Sequence, residues 1–232
     1  EPEISAVSRG ILESLIYVHS LNRIHRDIKA ANLLLTSEGV IKLCDFGVSA
    51  QLDGTSEEYK RKTLAGSAYW MAPEIVSSAG HDTKADIWSF GITELELYEK
   101  EAPLAKFARE KGINSPQLLI VQTPRNEPPQ APDSASPLFK NFIKRILLKD
   151  PNLRPTAAEL IKDPFITQIS ERQGKEIIRN LVAAYQIAKD NQVDEDAEED
   201  IEEEEEEEEE DFDGEFSQDV CRTILFNNTP AE

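Results

Sequence analysis

The run His25-Arg26-Asp27-Ile28-Lys29-Ala30-Ala31-Asn32 reaches Asp45-Phe46-Gly47 through two short apolar stretches, Leu33-Leu34-Leu35 and Val40-Ile41-Lys42-Leu43, and this arrangement most restricts the fold. Thr36-Ser37-Glu38-Gly39 joins the stretches with Gly at the tight position and reads as a hairpin turn. A hairpin brings its two open ends side by side, so Asn32 and Asp45 are predicted to converge on one point. Asn32 offers a neutral amide oxygen and Asp45 a charged one, a donor pair suited to a hard cation such as Mg²⁺.

Upstream, Asp27 stands two positions before Lys29, so a carboxylate and an ammonium sit beside the hairpin. Phosphoryl transfer needs a group to aim the attacking hydroxyl and groups to neutralise charge on the transferred phosphoryl. Asp27 fits the first need, and Lys29 with the cation held by Asn32 and Asp45 fits the second. Ala72-Pro73-Glu74 follows as a third motif. Each tripeptide alone recurs by chance, but their order, with a hairpin between the two metal ligands, points to this one chemistry.

The stretches from Ile24 to Leu35, from Lys42 to Leu52 (Lys-Leu-Cys-Asp-Phe-Gly-Val-Ser-Ala-Gln-Leu), and Gly66-Ser67-Ala68-Tyr69-Trp70-Met71-Ala72-Pro73-Glu74 resemble the sterile-twenty-like (germinal-centre) group of serine/threonine protein kinases. The resemblance covers residues 1 to about 166 and corresponds to the C-terminal lobe. It implies a protein-kinase-like α+β fold of which this chain is the mainly α part, with a short β-hairpin at the catalytic loop. Only 24 residues precede His25, and they read as one helix, so the N-terminal lobe with its Gly-rich loop and strand lysine is absent from the chain.

The resemblance also implies roles. Asp27 and Lys29 would be catalytic; Lys29, Asn32, Leu34 and Asp45 would bind ATP, and Asn32 and Asp45 would hold Mg²⁺. Lys29 follows the serine/threonine rather than the tyrosine pattern. Arg26 resembles the arginine that pairs with a phosphorylated activation loop, which makes Thr63 the expected phosphosite, for an upstream kinase or for autophosphorylation. Ser67 resembles the substrate-positioning hydroxyl beside Asp27 and Lys29, where Thr is commoner in the group. The other matched positions are structural: Glu74 and Arg154 as a buried ion pair, Asp86 as the aspartate holding the catalytic-loop backbone, His25 and Phe46 as packing residues, with Gly47 completing its motif.

Helical periodicity fills in the lobe. Ile4, Val7, Ile11, Leu15 and Val18 share one face, as do Phe139, Phe142, Ile143, Ile146 and Leu147. Ile87-Trp88-Ser89-Phe90-Gly91-Ile92 is apolar nearly all round and predicts a buried helix with Asp86 as its N-cap. Thr156-Ala157-Ala158-Glu159 and Ser170-Glu171-Arg172-Gln173 are capping-box patterns, and Asp163-Pro164 closes the short helix after the first. Pro103 to Pro132 gives no clear period, and its Pro-rich end predicts irregular surface backbone. Beyond the lobe, Ile177, Ile178, Leu181, Val182, Tyr185 and Ala188 form an apolar stripe that needs a cover, the lobe or a partner; its closeness to the lobe favours docking there.

Charge divides the rest. Of a net charge of −20, residues 194–215 account for −18, with no Lys or Arg, leaving −2 for everything else. Such a run cannot bury enough apolar surface to offset its ordering entropy and is expected to be disordered, either a solvated tail or a segment that engages basic partners or competes with basic substrates. The organisation expected is therefore a partial kinase lobe at 1–166, a helical extension at 167–192, an acidic disordered segment at 193–215 and a tail at 216–232. Cys44 and Cys221 have neither metal-ligand nor disulfide-framework spacing, no stretch approaches the roughly 18 apolar residues of a membrane span, and the acidic balance argues against nucleic acid. These features fit a cytoplasmic protein acting on protein Ser/Thr hydroxyls, of oligomeric state not given by the sequence. The alternative is a non-catalytic scaffold or decoy; an isolated half-cleft of this kind is expected to be inactive.

Overall fold

The computed structural model describes residues 1–45, 68–77, 82–113 and 126–200, with 192–200 described through the backbone alone. Helix α1 (Pro2–Ser20) begins with Pro at its first turn, where no amide hydrogen is needed, and buries Val7, Ile11, Leu12, Leu15 and Val18. After α1 the chain runs through the loop 23–29 and a 3₁₀ turn, Ala30–Asn32, into strands β1 (Leu33–Leu35) and β2 (Ile41–Leu43). These pair antiparallel with Leu33 opposite Leu43 and Leu35 opposite Ile41, which is the predicted hairpin. Thr36 N donates to Val40 O and Gly39 N to Thr36 O, both at 2.9 Å, and Gly39 adopts φ +81°, a conformation other residues reach only with strain.

The remaining helices are α2 (Pro73–Val76), α3 (Thr83–Glu99), α4 (Pro103–Lys111), α5 (Pro137–Ile146), α6 (Ala157–Leu160), α7 (Pro164–Thr167) and α8 (Glu171–Asp200). The architecture among the described residues is mainly helical with one two-stranded sheet, as expected of the kinase C-terminal lobe. Helix α3 runs through the middle and is buried from Ala85 to Leu97. Phe90 meets Phe142 edge-on, and Phe139 and Phe142 each lie 5.1 Å from Phe165, joining α3, α5 and α7 in one aromatic cluster. Gly91 lets α5 approach, because a Cβ there would lie 2.5 Å from Ile146 Cγ2.

Both capping boxes form. Thr156 and Glu159 exchange their reciprocal bonds at the start of α6, and Ser170 and Gln173 do so ahead of α8. One expectation is corrected. Asp82, not Asp86, caps α3, its side chain accepting from Thr83 N; the apolar run starts a turn inside the helix, and Asp86 is spent on other bonds. The stretch from Pro103 to Pro132, which gave no clear period, opens with α4, running from Pro at its first turn to a left-handed Gly112 at its end, and its Pro-rich end, 126–132, has the irregular backbone expected. Helix α8 is described to Asp200, eight residues past the expected end of the helical extension at 192. Glu and Ala are good helix formers, and propagation from docked turns adds a hydrogen bond for each residue fixed.

Helix α8 docks the first part of its stripe on the lobe: Ile178 is fully buried, Ile177, Leu181, Val182 and Tyr185 are half-buried, and Ala188 is exposed. Arg9 of α1 donates to Ile166 O and Ile169 O at 2.9 Å, fixing the path into α8. No helix among the described residues is long and apolar enough to cross a membrane.

Candidate active site

The loop 23–29 is held from below by its backbone. Asp86 on α3 accepts His25 N at 2.9 Å and Arg26 N at 2.8 Å, and its Oδ2 also meets His19 Nε2 at 2.8 Å. Thr93 Oγ1 lies 2.9 Å from Ser89 O and 3.3 Å from Ile28 O, sharing one proton between helix and loop, and Glu96 Oε2 accepts Ala30 N at 3.0 Å and Trp70 Nε1 at 2.9 Å. Ser89 donates to Trp70 O at 2.8 Å. One face of one helix thus grips both the loop and the segment entering Ala72-Pro73-Glu74.

On this support three of the expected site residues meet. Lys29 Nζ lies 2.9 Å from Asp27 Oδ2, and Asn32 Nδ2 donates to both Asp27 O and Asp27 Oδ2 at 2.8 Å. Two acceptors facing Nδ2 fix the orientation of the Asn32 amide, leaving its oxygen on the other side. Asp27 Oδ1 and Asn32 Oδ1 are both buried without a hydrogen-bond partner among the described residues. Unmatched buried acceptors are costly and rare, and these two belong to the side chains that phosphoryl transfer would use. Asp45 stands just beyond β2, and Cys44 N donates to Asn32 O at 3.0 Å, so the hairpin does bring the Asn32 and Asp45 ends together. Asp45 is exposed. The donors fit Mg²⁺: an amide oxygen without a hydrogen-bond partner among the described residues and an exposed carboxylate at adjoining ends of a hairpin.

Arg26 and Asp45 both take positive φ, +72° and +64°. Strained backbone of this kind persists only where its surroundings impose it, and it gathers at functional sites. His25 is buried, and burial lowers its pKa against the opposing pull of Asp86 and Asp27, so it stays neutral; its Nδ1 accepts Asp27 N at 3.4 Å. That makes it a core histidine. Burial first, then Asp45, raises the Cys44 thiol, which is therefore a poor nucleophile. Leu34 is half-buried on β1 opposite Lys42.

Away from the centre, Glu74 and Arg154 form a two-pronged ion pair at 2.5 and 2.7 Å, with Arg154 also donating to Leu148 O and Lys84 O and lying over the Trp88 ring. Thr63, Ser67, Phe46 and Gly47 lie outside the described residues. His19, Thr93 and Glu96 are the residues that sequence reading missed. For Thr93 and Glu96 a signal was present: with Asp86 and Ser89 they recur at three- and four-residue spacing, a polar stripe down a mostly apolar helix.

Residues 1–166 match the protein kinase domain. The chain is 45% identical over 170 residues to serine/threonine-protein kinase 4 homolog A of Dictyostelium discoideum, covering 72% of this chain and 35% of that protein. It is 43% identical over 201 residues to serine/threonine-protein kinase dst2 of the same organism, with 84% and 16% covered, and 41% identical over 203 residues to serine/threonine-protein kinase 10 of Xenopus tropicalis, with 84% and 20% covered. The chain therefore spans about a third or less of the length of these relatives.

Proposed function

The chain belongs to the protein kinase family, in its sterile-twenty-like group, and from that premise we propose that it supplies the catalytic loop and metal-ligand half of an enzyme that transfers the γ-phosphate of ATP to protein Ser/Thr hydroxyls. The observation that carries this reading is the cluster of Asp27, Lys29 and Asn32 with two buried oxygens left unmatched. Asp27 Oδ1 would accept the proton of the substrate hydroxyl as that oxygen bonds to phosphorus and the bond to ADP breaks. Lys29, drawn against Asp27 Oδ2, would turn to the transferring phosphoryl and offset its charge. Asn32 Oδ1 and Asp45 would hold Mg²⁺, whose contribution is to draw negative charge from the phosphate oxygens. Leu34 would face the nucleotide.

In the same reading residues 1–166 are the C-terminal lobe, Thr63 takes the activating phosphate near Arg26, Ser67 positions the acceptor, and the protein works in the cytoplasm. The test is Asp27→Asn in the full-length protein, which keeps the shape and both Asn32 bonds feasible while removing the base. Phosphorylation of a Ser/Thr peptide is expected to fall at least about 100-fold with the melting temperature unchanged within a few degrees. Full-length protein without turnover, or turnover indifferent to the substitution, would refute the reading and leave the non-catalytic scaffold.

A further inference from the structure

The turn of the β1–β2 hairpin is seated on α8, a helix that lies beyond the matched kinase domain. A Cβ at Gly39 would lie 2.3 Å from the Lys175 carbonyl oxygen, backbone against backbone, and Arg179 Nε donates to Glu38 O at 3.1 Å. The other side of the hairpin is wedged against α1, where a Cβ at Gly10 would lie 2.5 Å from Ile41 Cβ, and Gly174 of α8 rests against Ala6 of α1. The hairpin is therefore clamped between two helices at closest approach, and its open ends carry Asn32 and Asp45.

A two-stranded hairpin is marginal by itself, and its three-residue strands give it little rigidity of its own. The spacing of the two metal ligands then depends on what grips the turn. We propose that α8 is a positioning brace for the metal site: by fixing the Gly39 turn from behind, residues 174–179 hold Asn32 and Asp45 at the separation Mg²⁺ requires. The brace acts through the hairpin and touches no reactant. This rests on the reading of Asn32 and Asp45 given above.

Two variants of the full-length protein test it. Gly39→Asn tolerates the positive φ of the turn yet carries a Cβ for which the Lys175 carbonyl leaves no room; Arg179→Ala removes the hydrogen bond and inserts nothing. Amide exchange in residues 36–43 and 171–181 is expected to accelerate together, about ten-fold in Gly39→Asn and about two- to three-fold in Arg179→Ala. The Mg²⁺ concentration giving half-maximal ATP binding is expected to rise about three- to ten-fold in the first and about two-fold in the second, with the KM for peptide unchanged. Leu147→Ala, a core change beside Gly91 and remote from this seam, is the control: it lowers the melting temperature without moving the Mg²⁺ midpoint. If Gly39→Asn does not fold, Arg179→Ala decides. Independent exchange of the two segments, or a Mg²⁺ midpoint that stays put while the wild type binds Mg-ATP, would overturn the brace alone. A wild type that shows no Mg²⁺-dependent ATP binding would overturn the site reading and the brace with it.

Discussion

Ser8 has one hydroxyl proton and two oxygens close enough to take it, Ile4 O and Glu94 Oε2, each at 2.6 Å. Both contacts are hydrogen bonds only when Glu94 is the protonated acid, giving its proton to Ser8 while Ser8 gives its own to Ile4 O. Glu94 is fully buried, and that burial pushes its pKa up to about 8 from 4.5, against the bond that Ser8 would give the ionised carboxylate. Unfolded, the carboxyl ionises near its ordinary value, so through the window from 4.5 to about 8 the unfolded chain has lost a proton that the folded chain keeps. Stability is then greatest below that window, falls as pH rises through it, and levels off above. At pH 7 the loss is on the order of 3 kcal/mol. Glu94→Gln retains a donor toward Ser8 and removes the titration, so its melting temperature is expected to exceed that of the wild type at about pH 8 and to change little down to about pH 5. Melting curves with parallel slopes for both proteins would exclude this account. Nothing in the sequence marked Glu94, since an acid in the Glu94-Leu95-Glu96 alternation reads as exposed, whereas Asp27, Asn32 and Asp45 were legible because their spacing is dictated by chemistry that acts at short range.

Helix α3 shows why elements were easier to read than their tasks. The burial of its Ile87–Ile92 run followed directly from apolar sequence, but the start was misplaced by a turn, because Asp86 satisfies the composition of a cap and is instead aimed at two loop amides. Hydrophobic pattern reports what leaves water and is silent about which backbone groups a polar side chain will meet. Helix α4 went unread for the opposite reason: it is short and mostly half-buried, so its apolar residues span too few turns to set a period, and its terminal Pro103 and Gly112 are the signals that announce it. Along α3, Glu96 carries two donors on a single oxygen, one from the loop that holds Asp27 and one from Trp70. Glu96→Ala is expected to cost about 2 kcal/mol of stability, the order for buried donors left without acceptors. It should also lower kcat at least about ten-fold, because the loop loses the acceptor that sets Ala30 between Asp27 and Asn32. Stability loss with kcat intact would mean that the helix packs against the loop without registering it.

At the scale of the molecule the charge is almost wholly segregated, −18 in residues 194–215 against −2 elsewhere. A nearly neutral lobe has little long-range field with which to select a basic substrate, so an acidic segment on the same chain, present at high local concentration, is the stronger attractor for Arg-rich sequences and a competitor for any basic contacts near the site. Such competition is screened by salt, with a Debye length of about 10 Å at 0.1 M and about 3 Å at 1 M. Replacing Glu202 to Glu210 by Gln in the full-length protein is therefore expected to change the KM for an Arg-rich peptide about two- to five-fold at low salt, in the direction of tighter binding, and to leave it unaltered near 1 M. A peptide without basic residues should show no difference at either salt. Equal KM values for the Arg-rich peptide at both salts would reduce the segment to a solubilising tail, the outcome its composition alone favours, since sequence fixes how much charge a segment carries but not which surface that charge visits.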